Sequence, residues 1–320
     1  MKIQRNSHPL VSIYFITYNQ EDFVKASLQS ILQQTYMPLE IIISDDASTD
    51  QTFSIIQQVV AGYQGPHRVV VTQNTCNLGI AENVNKVWRM AQGELIVNAT
   101  GSDISLPERV AELVRVWQAD PEIYAVCSAV TQIDEQGGVL GTKSIRKWHK
   151  TVHAAIMSDQ FYWIGSSAAY SRALYLRFGD MHGVEDLIYY RRALLLGKIA
   201  YVDHPLVHWR MRGVSNPEAE TWYIEARRLN EWRLACAYQA RSDLERVADC
   251  LKHKRLYRAC ARLIQQYALF KEIIDAPDRM RRFLAWCRLI CVNPDFARKK
   301  MKWLWKPIPI SGNQEFYNRW

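Results

Sequence analysis

The chain has 320 residues, is 48% hydrophobic and carries a net charge of +8, which is enough length for a full core and for two domains. No stretch approaches the ~18 uncharged apolar residues that a membrane helix needs, and the seven cysteines (76, 127, 236, 250, 260, 287 and 291) form no CxxC pair. With an N-terminus that lacks the apolar run of a secretory signal, this predicts buried thiols and a cytoplasmic location.

The first half of the chain alternates in type. LVSIYFIT (10–17) is rich in β-branched and aromatic residues and predicts a buried strand. Residues 21–34 place Phe23, Leu28, Ile31 and Leu32 at helical spacing. LEIIISDD (39–46) predicts a second strand, 48–63 a helix, RVVVTQN (68–74) a third strand, 81–91 a helix and GELIVNAT (93–100) a fourth strand. Pro107 opens a helix through Trp117, a position where its missing N–H needs no partner. This alternation predicts a parallel sheet with right-handed crossovers, whose ligands bind at the carboxyl ends of the strands. AVCSAVTQID (125–134) reads as a further strand, and 141–165 as irregular, either a solvated loop or a lid whose Lys143, Arg146, Lys147, His149 and Lys150 face an anionic ligand.

The pattern changes after Gly213. Long helical stretches follow, over 218–240, 242–275 and 278–291. The charge changes too: residues 1–203 hold 17 Lys+Arg against 20 Asp+Glu, whereas 204–320 hold 23 against 12. Two domains are expected, 1–213 holding the site and 214–320 forming a basic helical region. Trp286, Trp303 and Trp305, with Arg281, Arg282, Lys299, Lys300 and Lys302, suit the interface of an anionic membrane. Nothing in the basic region matches an RNA- or DNA-binding motif, so nucleic acid is not an expected partner.

Polar groups gather at the predicted strand ends: Thr17, Tyr18, Asn19 and Glu21 after the first, Asp45, Asp46, Ser48, Thr49 and Asp50 after the second, Asn74, Asn77 and Gly79 after the third. There is no GxGxxG after the first strand and no GxxxxGKS, which argues against a Rossmann dinucleotide site and a P-loop. DDASTD (45–50) can cap a helix, but capping does not account for two adjacent acids.

The segment VSIYFITYNQEDFVKASLQSILQQTYMPLEIIISDDASTDQT resembles the start of a glycosyltransferase family 2 enzyme, a family that reads VSIIIPTYN, SILNQTY and EIIVVDDGSTDDT. The match continues through NLGIAENVNKVWRMAQGELI (77–96) and resumes at EDLIYYRRALLLGKIAYVDHPLVHWR (185–210). The resemblance implies a GT-A fold, a Rossmann-like α/β sandwich with a mostly parallel sheet, followed here by the C-terminal helical region. It also implies inverting transfer of a sugar from a nucleotide donor. Thr17, Tyr18, Asn19 and Glu21 would line the nucleotide pocket, Asp46 or Asp45 would accept a hydrogen bond from the base, and Asn77 and Gly79 would sit near the donor. Asp186 would be the general base, preceded by Glu185, which would orient an acceptor or a loop. The family's acceptors imply a lipid-linked saccharide at the cytoplasmic face of a bacterial inner membrane, in O-antigen or capsule assembly.

Two departures mark the stretch NATGSDIS (98–105). Aligned on LPER (106–109), Thr100 and Ser102 stand where the family has acids, and only Asp103 remains to hold the Mg²⁺ or Mn²⁺ that the family implies. A single carboxylate and a hydroxyl make a weak shell for a hard cation. Arg212 stands where the family often has histidine, and an arginine there can pair with a diphosphate oxygen. Two classes of function follow: an inverting glycosyltransferase, or a catalytically silent nucleotide-sugar-binding protein in an assembly complex. Asp186 discriminates them, because only an enzyme has turnover to lose with it.

Overall fold

The computed structural model describes residues 5–144, 151–157, 164–211, 221–247, 254–276 and 278–301. By its internal contacts the chain divides into two compact units, one of 1–152, 159–181 and 185–213, the other of 153–158, 182–184 and 214–320.

The first unit is built on one sheet. β1 (Val11–Thr17), β2 (Leu39–Asp45), β3 (Arg68–Gln73) and β4 (Leu95–Thr100) pair in the order β3-β2-β1-β4, all parallel. They alternate with α1 (Val24–Leu32), α2 (Thr52–Ala61) and α3 (Ile80–Met90), as the sequence predicts. β1 and β2 are covered on both faces, so apolar side chains dominate them, and the buried Ser12 and Glu40 hydrogen-bond one another at 2.5 Å. Val11, Ile13, Phe15, Ile41 and Ile43 pack in one core with Leu28 and Ile31 of α1 and with Val110, Leu113 and Trp117 of α4 (Arg109–Gln118). Each fully buried side chain of this kind contributes about 1.5–3 kcal/mol.

Past β4 the sheet becomes mixed. It continues through β8 (Ala168–Ser171), β6 (Ile123–Ile133), β9 (Lys198–Arg210) and the two-residue β5 (Ile104–Ser105), with β7 (Val139–Lys143) paired to β6. β8 runs antiparallel to both β4 and β6, whereas β6 and β9 are parallel. The result is a Rossmann-like α/β fold whose parallel half matches the expectation. The expected irregular run over 141–165 is corrected at its start, because β7 extends through Lys143, and by α5 (Val152–Met157); residues 145–150 and 158–163 lie outside the described residues. α6 (Ala173–Phe178) and α7 (Glu185–Leu196) complete the unit.

α7 is placed by aromatic packing. Tyr189 stacks on Trp88 of α3 at 4.2 Å between centroids and 8° between planes. Tyr170 of β8 lies 5.1 Å from Tyr189, and Tyr14 of β1 lies 6.4 Å from Trp88. The turn before α7 is pinned as well. Asn85 exchanges two hydrogen bonds with the backbone of Met181, each 2.9 Å, and Arg192 donates to the carbonyls of Gly179 and Asp180, each at 2.9 Å.

The second unit is helical: α8 (Thr221–Glu245), α9 (Lys254–Asp275), α10 (Arg279–Val292) and α11 (Pro294–Lys300). Cys236, Ala240, Leu263, Tyr267, Phe270, Ile273, Ile274, Leu289 and Phe296 are buried in it. Asp278 caps α10, and Asn293 caps α11 ahead of Pro294. Two residues expected at a membrane face are turned inward. Arg282 is 2% exposed, and the Lys300 ammonium lies over the rings of Phe270 and Phe296, at 5.0 and 5.3 Å. Lys302, Trp303 and Trp305 lie outside the described residues. Among the described residues, no helix is long and apolar enough to cross a membrane.

Candidate active site

The four parallel strands end level. Thr17 is opposite Asp45, Asp45 opposite Gln73, and Ile16 opposite Thr100. Their loops therefore converge on one edge of the sheet, the edge where such folds bind ligands. The first two loops are laced together. Asn19 N–H donates to Ser48 Oγ at 2.9 Å, Thr49 N–H to Asn19 Oδ1 at 2.9 Å, Gln20 N–H to Thr52 Oγ1 at 2.7 Å, and Gln51 N–H to Glu21 Oε2 at 2.8 Å. Asn19 and Glu21 thus tie the loop after β1 to the loop after β2 through both backbone and side chain. The lacing holds Asn19 and Ala47 at φ of 49° and 60°. Asparagine tolerates this left-handed region, whereas alanine is strained there by about 1–2 kcal/mol.

The adjacent acids Asp45 and Asp46 are both buried and each has its own donors. Asp45 Oδ2 accepts from Ser48 N–H and from Gln73 Nε2, both at 3.0 Å. Asp46 Oδ1 accepts from Asn74 Nδ2 at 2.7 Å and Leu78 N–H at 2.8 Å, and its Oδ2 from Gly79 N–H at 2.9 Å. Successive strand residues face opposite sides, so the two carboxylates organise different loops. Asp46 sets the turn at Asn77–Gly79, where Gly79 has a φ of 78° and also donates to Asn77 Oδ1 at 2.8 Å. Lys86, absent from the expected set, reaches the same place. Its ammonium donates to Thr72 Oγ1 at 2.7 Å and to Asn74 Oδ1 at 2.6 Å, and burial pulls its pKa down against the charge of Asp46.

The loop after β4 is fastened from beneath. Asp103 is 8% exposed. Its Oδ2 accepts from Thr100 Oγ1, and its Oδ1 from the Arg210 backbone N–H, both at 2.9 Å. Burial pushes the Asp103 carboxyl up, and those hydrogen bonds together with the charge of Arg109 oppose the rise. Arg109, 2% exposed, donates to Ser105 Oγ at 2.9 Å, Asn98 O at 2.7 Å and Ser166 O at 2.5 Å. Burial lowers its pKa to about 10, with Asp103 the nearby anion that opposes the fall. Gly101 lies so close to Gln20 and Thr17 that a Cβ there would fall 2.3 Å from Gln20 Oε1 and 2.6 Å from Thr17 Oγ1. Ser102, partly exposed, is the loop residue that faces outward.

These residues do not by themselves fit a metal held by protein ligands. The loop supplies one carboxylate, already committed to its own loop and to β9. Among the described residues, no three His, Cys, Asp or Glu gather to hold a metal ion.

Glu185 and Asp186 open α7, where the helix dipole favours acids. Tyr14 and Asn98 are opposite one another in β1 and β4. Both reach Glu185 Oε1, Asn98 Nδ2 at 2.8 Å and Tyr14 OH at 3.3 Å. Burial first, and then the charge of Asp186, push the Glu185 carboxyl well above the ordinary carboxylate range. Burial also raises Asp186, opposed by its hydrogen bond with Glu185 and by the Gly165 backbone N–H. Of the two, Glu185 is the one pushed well above the ordinary range, so its protonated form is favoured. Asp186 Oδ1 is itself buried and meets no hydrogen-bond partner, and a buried oxygen without one is an exception that asks for a reason. Gly165 makes room for it, because a Cβ at that position would sit 1.8 Å from Asp186 Oδ1.

The structure thus brings Thr17, Asn19, Glu21, Asp45, Asp46, Asn77, Gly79, Ser102 and Asp103 to one edge of the sheet, with Tyr18 partly exposed among them. Arg212 lies outside the described residues. Tyr14, Asn98, Arg109 and Gly165 were not expected. A lone Asn inside an apolar strand was the available signal for Asn98; the others become visible only once α7 and residues 165–167 are placed.

This fold, with polar loops on the carboxyl edge of its parallel strands and an acid pair at a helix start beside them, is that of the GT-A class. The glycosyl transferase family 2 profile matches residues 12–179, and the chain belongs to that family. It is 35% identical over 132 residues to a putative glycosyltransferase, EpsE, of Bacillus subtilis, covering 41% of this chain and 47% of that one. The chain spans about half the length of the curated relatives it matches. Two solved structures share the fold. S. aureus TarS 1–349 in complex with UDP-GlcNAc superposes with a TM-score of 0.54 at 17% identity, over 91% of each chain. The mannosyltransferase PcManGT of Pyrobaculum calidifontis, in complex with GDP-Man and Mn²⁺, gives 0.52 at 22% identity, over 92% of this chain and 85% of that one.

Proposed function

We propose that the chain is an inverting glycosyltransferase that moves a sugar from a nucleoside-diphosphate sugar to a saccharide acceptor in bacterial polysaccharide synthesis. The observation that carries this reading is the Glu185–Asp186 pair, with a buried carboxylate oxygen that no protein donor satisfies, beside the converging loops of β1, β2 and β4. In the proposed reaction Asp186 takes the proton of the acceptor hydroxyl as its oxygen attacks the anomeric carbon. The bond from that carbon to the diphosphate breaks on the opposite face, and the nucleoside diphosphate leaves. Glu185, favoured in its protonated form, keeps a second negative charge off the pair and so lets Asp186 stay ionised and ready to accept a proton. Thr17, Tyr18, Asn19 and Glu21 line the nucleotide pocket, with Asp46 holding the Asn77–Gly79 turn against it. Arg212 and the cations of 143–150 supply positive charge to the leaving diphosphate. TarS and PcManGT, solved with nucleotide sugars, support the donor class. The acceptor is lipid-linked and presented at the cytoplasmic face of the membrane.

A thermal-shift panel of UDP, dTDP, GDP and CMP, each with Mn²⁺ and with EDTA, tests the donor site, because a ligand of the native state raises the melting point by mass action. Stabilisation by one of the diphosphates, retained in EDTA, is the expected result. No shift with any nucleotide would remove the reading, and a shift only with Mn²⁺ would show that Asp103 and Ser102 suffice for a metal and that the cations do not replace it.

A further inference from the structure

The helical unit leaves an apolar stripe open on α10. Met280, Phe283 and Leu284 are 67, 49 and 48% exposed, and Cys291 is exposed as well. With Cys287 these positions follow i, i+3, i+4, i+7 and i+11, which places them on one helix face. The opposite face, through Arg282, Ala285 and Leu289, is the one that α10 buries. The helix therefore has an inward contact already made and a second, outward apolar face.

Charge borders that outward face. Arg281 and Arg288 flank the stripe on one side and Arg279 on the other, and α11 adds exposed Arg298 and Lys299; Arg281, Arg288 and Arg298 also meet Asp278, Glu272 and Asp295 at 3.5, 3.0 and 3.8 Å, exposed pairs that contribute little and leave the side chains able to turn to another anion. The sequence of α10, RMRRFLAWCRLICV, contains no acid. A face made for water carries its charges at the centre. This one carries apolar side chains at the centre and arginines at the edges, the arrangement of a helix lying in the boundary between water and acyl chains.

We propose that the outer face of α10 docks on an anionic membrane surface, with Met280, Phe283 and Leu284 entering the headgroup boundary and the flanking cations meeting the lipid charge. A lipid surface fits better than a second copy of this chain, because an isologous contact would set these arginines against one another. The excess of 23 Lys+Arg over 12 Asp+Glu in residues 204–320 points the same way. The inference deepens the proposed function, resting on it only for the purpose of the docking.

The test is co-sedimentation of the full chain with vesicles of phosphatidylcholine alone and with a share of phosphatidylglycerol. Binding is expected only to the anionic vesicles, weakening as salt screens the charges. The combined variant Met280→Ser, Phe283→Ser, Leu284→Ser is expected to lower the partition coefficient at least about tenfold, and Arg279→Gln with Arg281→Gln and Arg288→Gln to do likewise. Both variants keep the wild-type thermal shift with nucleotide, which shows that the fold and the donor site are intact. Unchanged binding by both variants, no binding by the wild type, or a concentration-dependent dimer abolished by the same changes would overturn the proposal. Loss of the nucleotide shift in the wild type would instead remove the transferase reading and leave the vesicle result standing.

Discussion

Gly165→Ala places the smallest possible addition against the proposed base. The new Cβ would fall 1.8 Å from Asp186 Oδ1, 2.5 Å from its Cγ and 2.7 Å from its Oδ2, where ordinary contact begins at 3.4 Å. One side must yield by about 1.6 Å, the difference between the first and last of those distances. The backbone at 165–167 is the stiffer side, since Ser166 O accepts from Arg109 at 2.5 Å and Ser167 N–H donates to Ile164 O at 3.0 Å. Asp186 at the first turn of α7 is the side that moves. A misplacement of about 1 Å at a reacting group costs roughly a hundredfold in rate, and overpacking of this kind costs about 1–3 kcal/mol of stability. The assay is turnover at saturating donor and acceptor, with donor affinity measured by calorimetry, both below the variant's melting point. The expected result is a kcat lowered about a hundredfold or more with donor Kd within about threefold of wild type. A folded variant with wild-type kcat would refute the reasoning, because the position of Asp186 would then not matter to the chemistry.

Three further outcomes follow from the same geometry. Glu185 is raised by burial and by Asp186, so its protonated form is favoured in the folded state. The associated stability is present below the ordinary carboxylate range and is lost as pH rises through the raised one; Glu185→Gln, which mimics the protonated form, is expected to gain on the wild type in chemical denaturation as pH rises, and an unchanged difference across pH would show that Glu185 is ionised throughout. Arg109→Met strips the donors from three buried oxygens and removes a cation whose charge acts on Asp103, and is expected to cost about 3–5 kcal/mol in urea unfolding; a cost under about 1 kcal/mol would show that the loop after β4 does not depend on it. Ala47→Gly relieves a φ of 60° and is expected to stabilise by up to about 1 kcal/mol after the entropy glycine adds to the unfolded chain, a reading that a lowered melting point would contradict.

The parallel half of the fold was legible because β1, β2 and β4 are buried along nearly their whole length and, with the shorter edge strand β3, read as mainly apolar runs between helical segments. The other half was not. β8 is only AAYS, and β9 carries Asp203, His204 and Pro205, so neither has the composition of a central strand. Both are ordered by pairing with distant partners, β8 with β4 and β6, and β9 with β6. The loops of the site were legible as polar clusters after strands. Their division of labour was not, because it depends on donors far along the chain: Asp46 on Leu78 and Gly79, Asp103 on Arg210, Glu185 on Tyr14 and Asn98. Helix capping did not account for the two adjacent acids of 45–46, and the structure shows each of them with two or more protein donors of its own.

The central claim is that Asp186 takes the acceptor's proton, and Asp186→Asn tests it most directly. The variant keeps the shape and loses the basic oxygen. With the nucleotide sugar that stabilises the wild type, calorimetry is expected to give an unchanged donor affinity while transfer to acceptor falls by roughly a thousandfold or more. Transfer within about tenfold of wild type would contradict the account, since the proton would then be leaving by another group.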